Sequence, residues 1–229
     1  MRRRTGLAIL AVGACAAGAG AQTATLDEGT FTVFIAGTAI GSETFTIRQN
    51  GSGENTTIVA TCRTVIEAAA GSRALQANLQ IVGTAFRPAA YEVVEGADTI
   101  RGRVSGRRVT AKIISPTAEN LREYLVSEGA ILVDETVAHQ HYFIARRMPE
   151  GGSRVPLVAP RESRQSLAEV TVEAAAPLTI AGEAVNAVRF RVAPASGDER
   201  FFWADDRGRV LRLEIPARNL VAERTAIPR

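Results

Sequence analysis

The chain has 229 residues, 46% of them hydrophobic, with 27 Lys and Arg against 24 Asp and Glu for a net charge of +3. That composition excludes a disordered polyelectrolyte and is enough for one hydrophobic core. Residues 1–21 hold three of the arginines and no acid, so the rest of the chain balances at 24 of each sign and gives no basis for nucleic-acid binding.

At the amino end, Arg2, Arg3 and Arg4 precede the apolar run Leu7 to Ala14 and small residues up to Ala21. This is the layout of a secretory signal peptide over 1–21, too short and too glycine-rich to span a membrane. Ala19-Gly20-Ala21 forms an A-x-A-like cleavage site that would leave 22–229 as a single β-rich domain. Val12-Gly13-Ala14-Cys15 loosely matches a lipobox and offers a second route, with the protein lipid-anchored through Cys15 and peripherally membrane-associated. Both routes predict a periplasmic or secreted protein of the cell envelope. Cleavage before Gln22 leaves Cys62 without a disulfide partner.

Alternation with a period of two dominates the chain beyond this leader. Thr30 to Ala36 and Thr38 to Gln49 predict an opening hairpin with a bulge near Gly41-Ser42-Glu43, and Asn50-Gly51-Ser52-Gly53 turns into a strand over Thr56 to Ala69. After Gly71-Ser72, Leu75, Ala77, Leu79 and Ile81 share one face of the strand Ala74 to Val82. Tyr91 to Glu95 and Thr99 to Val104 continue the pattern, followed by a strand carrying Val109, Ala111 and Ile113 inward. Arg101, Arg103, Arg108 and Lys112 then form the outer, solvated face of a hairpin. Ala118 to Ser127 reads as a short turn of helix, and Ala130 to Val133 as a short strand.

Asp134 to Met148 predicts the one convincing helix. Val137, His141, Ile144 and Met148 fall at i, i+4, i+7 and i+11 on a face suited to a sheet, while His139 and Phe143 point away, leaving His139 exposed. Asp134 and Glu135 suit its positive end, Arg146 and Arg147 its negative end, and Pro149 stops it. Pro149 to Arg164 carries three prolines and reads as an extended surface loop. Alternation resumes through Ala168 to Val172, a hairpin over Leu178 to Val192, another around the turn Asp205-Asp206-Arg207-Gly208, and a closing strand from Asn219 to Thr225. The predicted fold is all-β and mainly antiparallel, about ten to twelve strands in a bent open sheet or half-barrel with one helix packed on its concave face.

No residue pattern names a reaction. There is no Gly-x-Ser-x-Gly elbow, no His-Glu-x-x-His motif and no glycine-rich phosphate loop, so no catalytic residue and no cofactor is expected. On a helix, His139 and His141 diverge by about 200 degrees and cannot grip one ion together, so no metal site is expected there. Cys62 sits on the apolar parity of its strand as a small core residue.

Phe31-Thr-Val-Phe with Gly37 and Ile40-Gly41-Ser42-Glu43-x-Phe45, Leu178-x-Ile180-x-Gly182, and Trp203-x-Asp205 with Gly208-x-Val210-Leu211 and Glu223-Arg224 resemble exported bacterial domains of unknown function. Those are similar to lipoprotein carriers of the LolA and LolB type, bent incomplete barrels with helix over an apolar concavity. The resemblance spans most of the chain after residue 21 and implies a cavity for an acyl chain or other apolar ligand. The expectation is therefore a non-enzymatic binding or carrier protein for an apolar or lipid-like small molecule. Val137, His141, Ile144 and Met148 would be the lid contacts and Leu79 and Ile81 the opposite wall. The alternative is a cell-envelope scaffold or assembly module that docks an envelope protein through its sheet edge and the 149–164 segment. A carrier needs a hollow apolar lining, whereas a scaffold packs its core solid.

Overall fold

The alternating segments pair into one long antiparallel sheet in the computed structural model, which describes residues 23–68, 71–127 and 129–229. The signal peptide expected over 1–21, with Cys15, lies outside the described residues. The strands are β1 (Thr23–Ile35), β2 (Thr38–Asn50), β3 (Thr57–Ala68), β4 (Gly71–Val82), β5 (Arg87–Glu95), β6 (Asp98–Ser105), β7 (Arg108–Ile114) and β8 (Glu119–Leu125), each paired to the next. After β9 (Ile131–Leu132) come β10 (Ser153–Ala159), β11 (Arg164–Val172), β12 (Ala176–Ile180), β13 (Glu183–Pro194), β14 (Arg200–Ala204), β15 (Val210–Ile215) and β16 (Leu220–Arg224). The path runs from β8 back to β1, crosses to β16, and returns through β15, β14, β13, β11 and β10 to β9, with β12 paired beside β13. The sheet is open and unclosed, with β8 and β9 as its ends.

Local chemistry explains the hairpins. Ala36 and Gly37 both take positive φ, +48° and +78°, and so do Ala181 and Gly182 at +51° and +84°, the two-residue turn whose twist matches that of its strands. The bulge expected near Gly41 is the unpaired Ile40, since Val33 faces Gly41 and Phe34 faces Ala39. A Cβ on Gly41 would lie 2.0 Å from the Val65 carbonyl oxygen, so only glycine lets β3 approach there.

Three expectations need correction. Ala118 to Ser127 holds strand β8 rather than helix, because a row of exposed residues on an end strand shows neither period clearly. The 149–164 segment contains strand β10, whose Val155, Leu157, Val158 and Ala159 are buried against β11, and its prolines stop neither the antiparallel pairing to β11 nor a short parallel pairing with β9. With β8 and β10 included, the described residues hold sixteen strands rather than ten to twelve. The third concerns the helix: Asp134 to Val137 form a turn, Ala138–His141 a 3-10 turn, and only Tyr142–Ala145 is α-helical.

This inner segment lies inside the sheet's curve, in contact with strands four places apart in it: His139 stacks on Phe45 of β2, while His141 packs on Phe202 of β14. Residues 130–144 are buried except for Thr136. A segment enclosed on every side has no exposed face, so apolar positions at helical spacing carry no information about which way it points. The Arg101, Arg103, Arg108 and Lys112 face is a surface, as expected, and three of its members pair with Glu92, Glu123 and Glu119.

Candidate functional site

The concave face gathers the inward positions of nearly every strand, and the inner segment fills it. Leu79, Ile81, Val137, His141 and Ile144 are all buried in one continuous core with Phe31 and Phe143, and Met148 packs partly buried at its margin. The six residues expected around a ligand are thus brought together, five of them enclosed by protein and Met148 at the edge. Phe31, Leu79 and Ile144 share this core, whereas Trp203 belongs to a small separate cluster with Ile180, Ala187 and Leu211.

Polar anchors hold the inner segment. Asp134 accepts hydrogen bonds from Arg161 Nε and Nη2 at 2.5 and 2.9 Å, from the Thr136 backbone N–H at 3.1 Å and from the Tyr91 hydroxyl at 3.4 Å. Glu135 lies between Arg164, Arg218 and Arg200 at 2.5, 3.2 and 3.3 Å. These carboxylates are therefore clamps to β11, β14 and the 160–163 turn rather than the electrostatic start of a helix. Burial, with the Asp134 carboxylate second, pushes the Tyr91 phenol well above its usual value. Burial and the same carboxylate also raise Glu162, to about 7.

Both histidines are buried, which corrects the expectation that His139 is exposed. Its Nδ1–H donates to Glu43 Oε1 at 2.9 Å, and Glu43 also accepts the backbone N–H groups of His139 at 3.0 Å and Ala138 at 2.9 Å. His141 donates from Nδ1 to the carbonyls of Val137 and Ala138, both at 3.3 Å. Burial and the nearby Arg200 charge lower the His141 pKa to about 3, so the ring is neutral. Cys62 faces the same pair of groups from β3, and burial followed by the Glu43 charge pushes its thiol up. Sequence reasoning missed Glu43. The signal was its parity, since Glu43, Phe45 and Ile47 alternate onto the buried side of β2.

At one mouth of the curved sheet, where β4 to β7 end and the chain enters the interior, lies an open cavity of about 450 Å³. Val82, Pro88 and Val104 line it from the strands, Val126 and Ala130 from the entering segment, and Arg87, Arg107 and Arg147 also border it. Arg147 donates to the carbonyls of Gly129 and Ala130 at 2.6 and 3.1 Å, and burial lowers its pKa from the ordinary arginine value. Arg107 donates to the Val126 carbonyl at 3.5 Å, and Arg87 pairs with the exposed Glu54.

No protein-family model matches the chain, and no curated protein matches it either. Among solved structures it is similar to a beta-barrel-like protein of a domain of unknown function, DUF1849, from Brucella abortus. The TM-score is 0.50 at 12% sequence identity, over 86% of this chain and 93% of that one. The chain has a β-barrel-like fold. At that identity the likeness speaks for architecture alone, and it extends to a β-barrel-like domain of unknown function rather than to the lipoprotein carriers in particular.

Proposed function

We propose that this protein is a non-enzymatic binding or carrier protein of the cell envelope, and that its ligand is an apolar or lipid-like molecule with an anionic head. The observation that carries this reading is the mouth cavity. Its volume falls in the range of about 300–1,000 Å³ typical of small-molecule sites, and its apolar walls stand beside three arginines. A carboxylate or phosphate head would take the remaining donors of Arg147 and Arg107, and the alkyl part would cover Val82, Val104 and Val126. Arg147 gains most, because an anion offsets the burial that disfavours its charge. Leu79, Ile81, Val137, His141 and Ile144 are packed behind this mouth with Met148 at the core's margin, so the ligand is placed at the mouth and they would back its site rather than line a hollow.

A long-chain fluorescent fatty acid tests the proposal. Binding is expected, weakened about tenfold by Arg147→Gln, the effect of about 1.4 kcal/mol for a lost charge-assisted contact. A comparable loss is expected for Val104→Asp. Absence of binding, or binding unchanged in both variants, would overturn it. The second reading, an envelope scaffold, draws on β8. Leu121 and Leu125 are 66% and 70% exposed on this end strand, an edge suited to pairing with a strand of an envelope protein. Co-purification of one envelope protein, abolished by Leu121→Lys with Leu125→Lys while fatty-acid binding is absent, would favour it.

A further inference from the structure

We propose that Glu43, Cys62 and His139 form a buried site for a divalent transition-metal ion of the zinc class. The three side chains come from β2, from β3 and from the 3-10 turn of the inner segment. Their ligating atoms all lie within 4.8 Å of one another, and all three residues are buried. Zinc bonds of about 2.0–2.3 Å place donor atoms roughly 3.3–3.6 Å apart, so the cluster needs only a small contraction.

The chemistry of the donors selects the ion. A thiolate, an imidazole and a carboxylate suit borderline divalent metals, whereas calcium and magnesium take oxygen ligands alone. Charge selects it again. In the complex a Cys62 thiolate, its proton released to solvent, and a Glu43 carboxylate would bring two negative charges and an imidazole none, so the 2+ of the ion is cancelled and no net charge is left buried. A monovalent ion would leave one.

The hydrogen-bonded pair of Glu43 and His139 does not by itself satisfy this cluster. His139 Nε2 is buried with no partner among the described residues, and the Cys62 sulfur has beside it a backbone hydrogen bond with Ala77 and a weak contact with Thr64 Oγ1 at 4.0 Å. Glu43 Oε2 accepts only the Ala138 N–H and keeps a lone pair for a metal. An ion held by Glu43 and by Nδ1 of His139 would replace the ring hydrogen bond between them, with the Nδ1 proton moving to the unpartnered Nε2, and the inner segment would stay tied to β2 by the backbone N–H bonds of Ala138 and His139 as well as by the ion. Three protein donors fall one short of the usual structural zinc site, so affinity below that of such sites is expected.

Cobalt(II) titration of the purified full chain, both native and during refolding from urea, tests the proposal. One equivalent should produce a sulfur-to-cobalt charge-transfer absorption in the near ultraviolet with intense visible bands of low-symmetry coordination, displaced by zinc. Cys62→Ala, a small change in a core position, should fold with an unchanged circular dichroism spectrum and lose the charge-transfer band. Zinc should raise the melting temperature of the parent protein and not of Cys62→Ala. No charge-transfer band in the parent, or an equal band in Cys62→Ala, would overturn the site.

Discussion

Glu43 and His139, on elements 96 residues apart, meet through two hydrogen bonds to one carboxylate oxygen, one from the ring Nδ1 and one from the backbone N–H. The other oxygen takes the Ala138 N–H, so a single side chain of β2 docks the start of the 3-10 turn inside the sheet. Glu43→Leu leaves two backbone donors and a ring nitrogen buried without acceptors. A loss of about 3–5 kcal/mol in urea unfolding is expected, with Glu43→Gln losing less because its amide oxygen still accepts. Hydrogen exchange across 134–148 should rise in both; an unfolding midpoint unchanged from the parent would refute the docking role.

His141 makes acid stability measurable. Its folded pKa, about 3, lies below the ordinary 6.5, so the neutral ring favours the fold, and the stability it contributes is present above pH 6.5 and lost as pH falls from there toward 3. At pH 5 the loss is on the order of 2 kcal/mol relative to neutral pH. His141→Gln should flatten that limb of a melting-temperature profile. A slope identical in parent and variant would show that other groups cause it.

Glu162 gives the opposite limb. Its folded pKa is raised from 4.5 to about 7, so its protonated form favours the fold: the contribution is complete below pH 4.5 and is lost as pH rises through 7. Glu162→Gln should therefore remove part of the decline between pH 5 and 8. A variant profile that falls as steeply as the parent's across that range would be the contrary result.

Arg224 tests the joint between the first and last strands. Its guanidinium pairs with the buried Asp27, donates to the Val210 and Glu28 carbonyls, and lies over the rings of Phe31 and Phe45. Arg224→Leu leaves the Asp27 carboxylate buried alone and should cost about 3–5 kcal/mol. Adding Asp27→Leu should recover part of that loss, because removing both charges is milder than stranding one. A double variant less stable than the sum of the single ones would contradict this account.

The sheet was legible because its strands obey the simplest code. Phe31, Phe45, Ile58, Leu79 and Ile100 announce their face by parity, and Gly37 and Gly182 mark their turns. The interior was legible only in location. Asp134, His139, Gln140 and His141 are polar and fully enclosed, and each is tolerated because of partners that pairwise spacing along the chain cannot reveal. Strand β10 was hidden by Pro156, which sits opposite Leu167 within the pairing to β11. Arg147, by contrast, was placed near the end of a helix, and the carbonyls it holds belong instead to the segment that enters the sheet.

The pairing of β1 with β16, which sets Phe31 opposite Arg224 and Ile35 opposite Leu220, joins the two extremities of the described chain. Most of the sheet can zip hairpin by hairpin as it is synthesised, but this one seam waits for the last strand. Until Leu220 to Arg224 emerge, β1 presents an open edge, and Asp27 has no counter-charge from Arg224. Contacts of such long sequence separation are slow to form. The completed seam brings the two ends of the described chain onto neighbouring strands. A permuted protein with these ends linked and new termini opened at the exposed Gly96 turn between β5 and β6 would turn this long-range contact into a local hairpin.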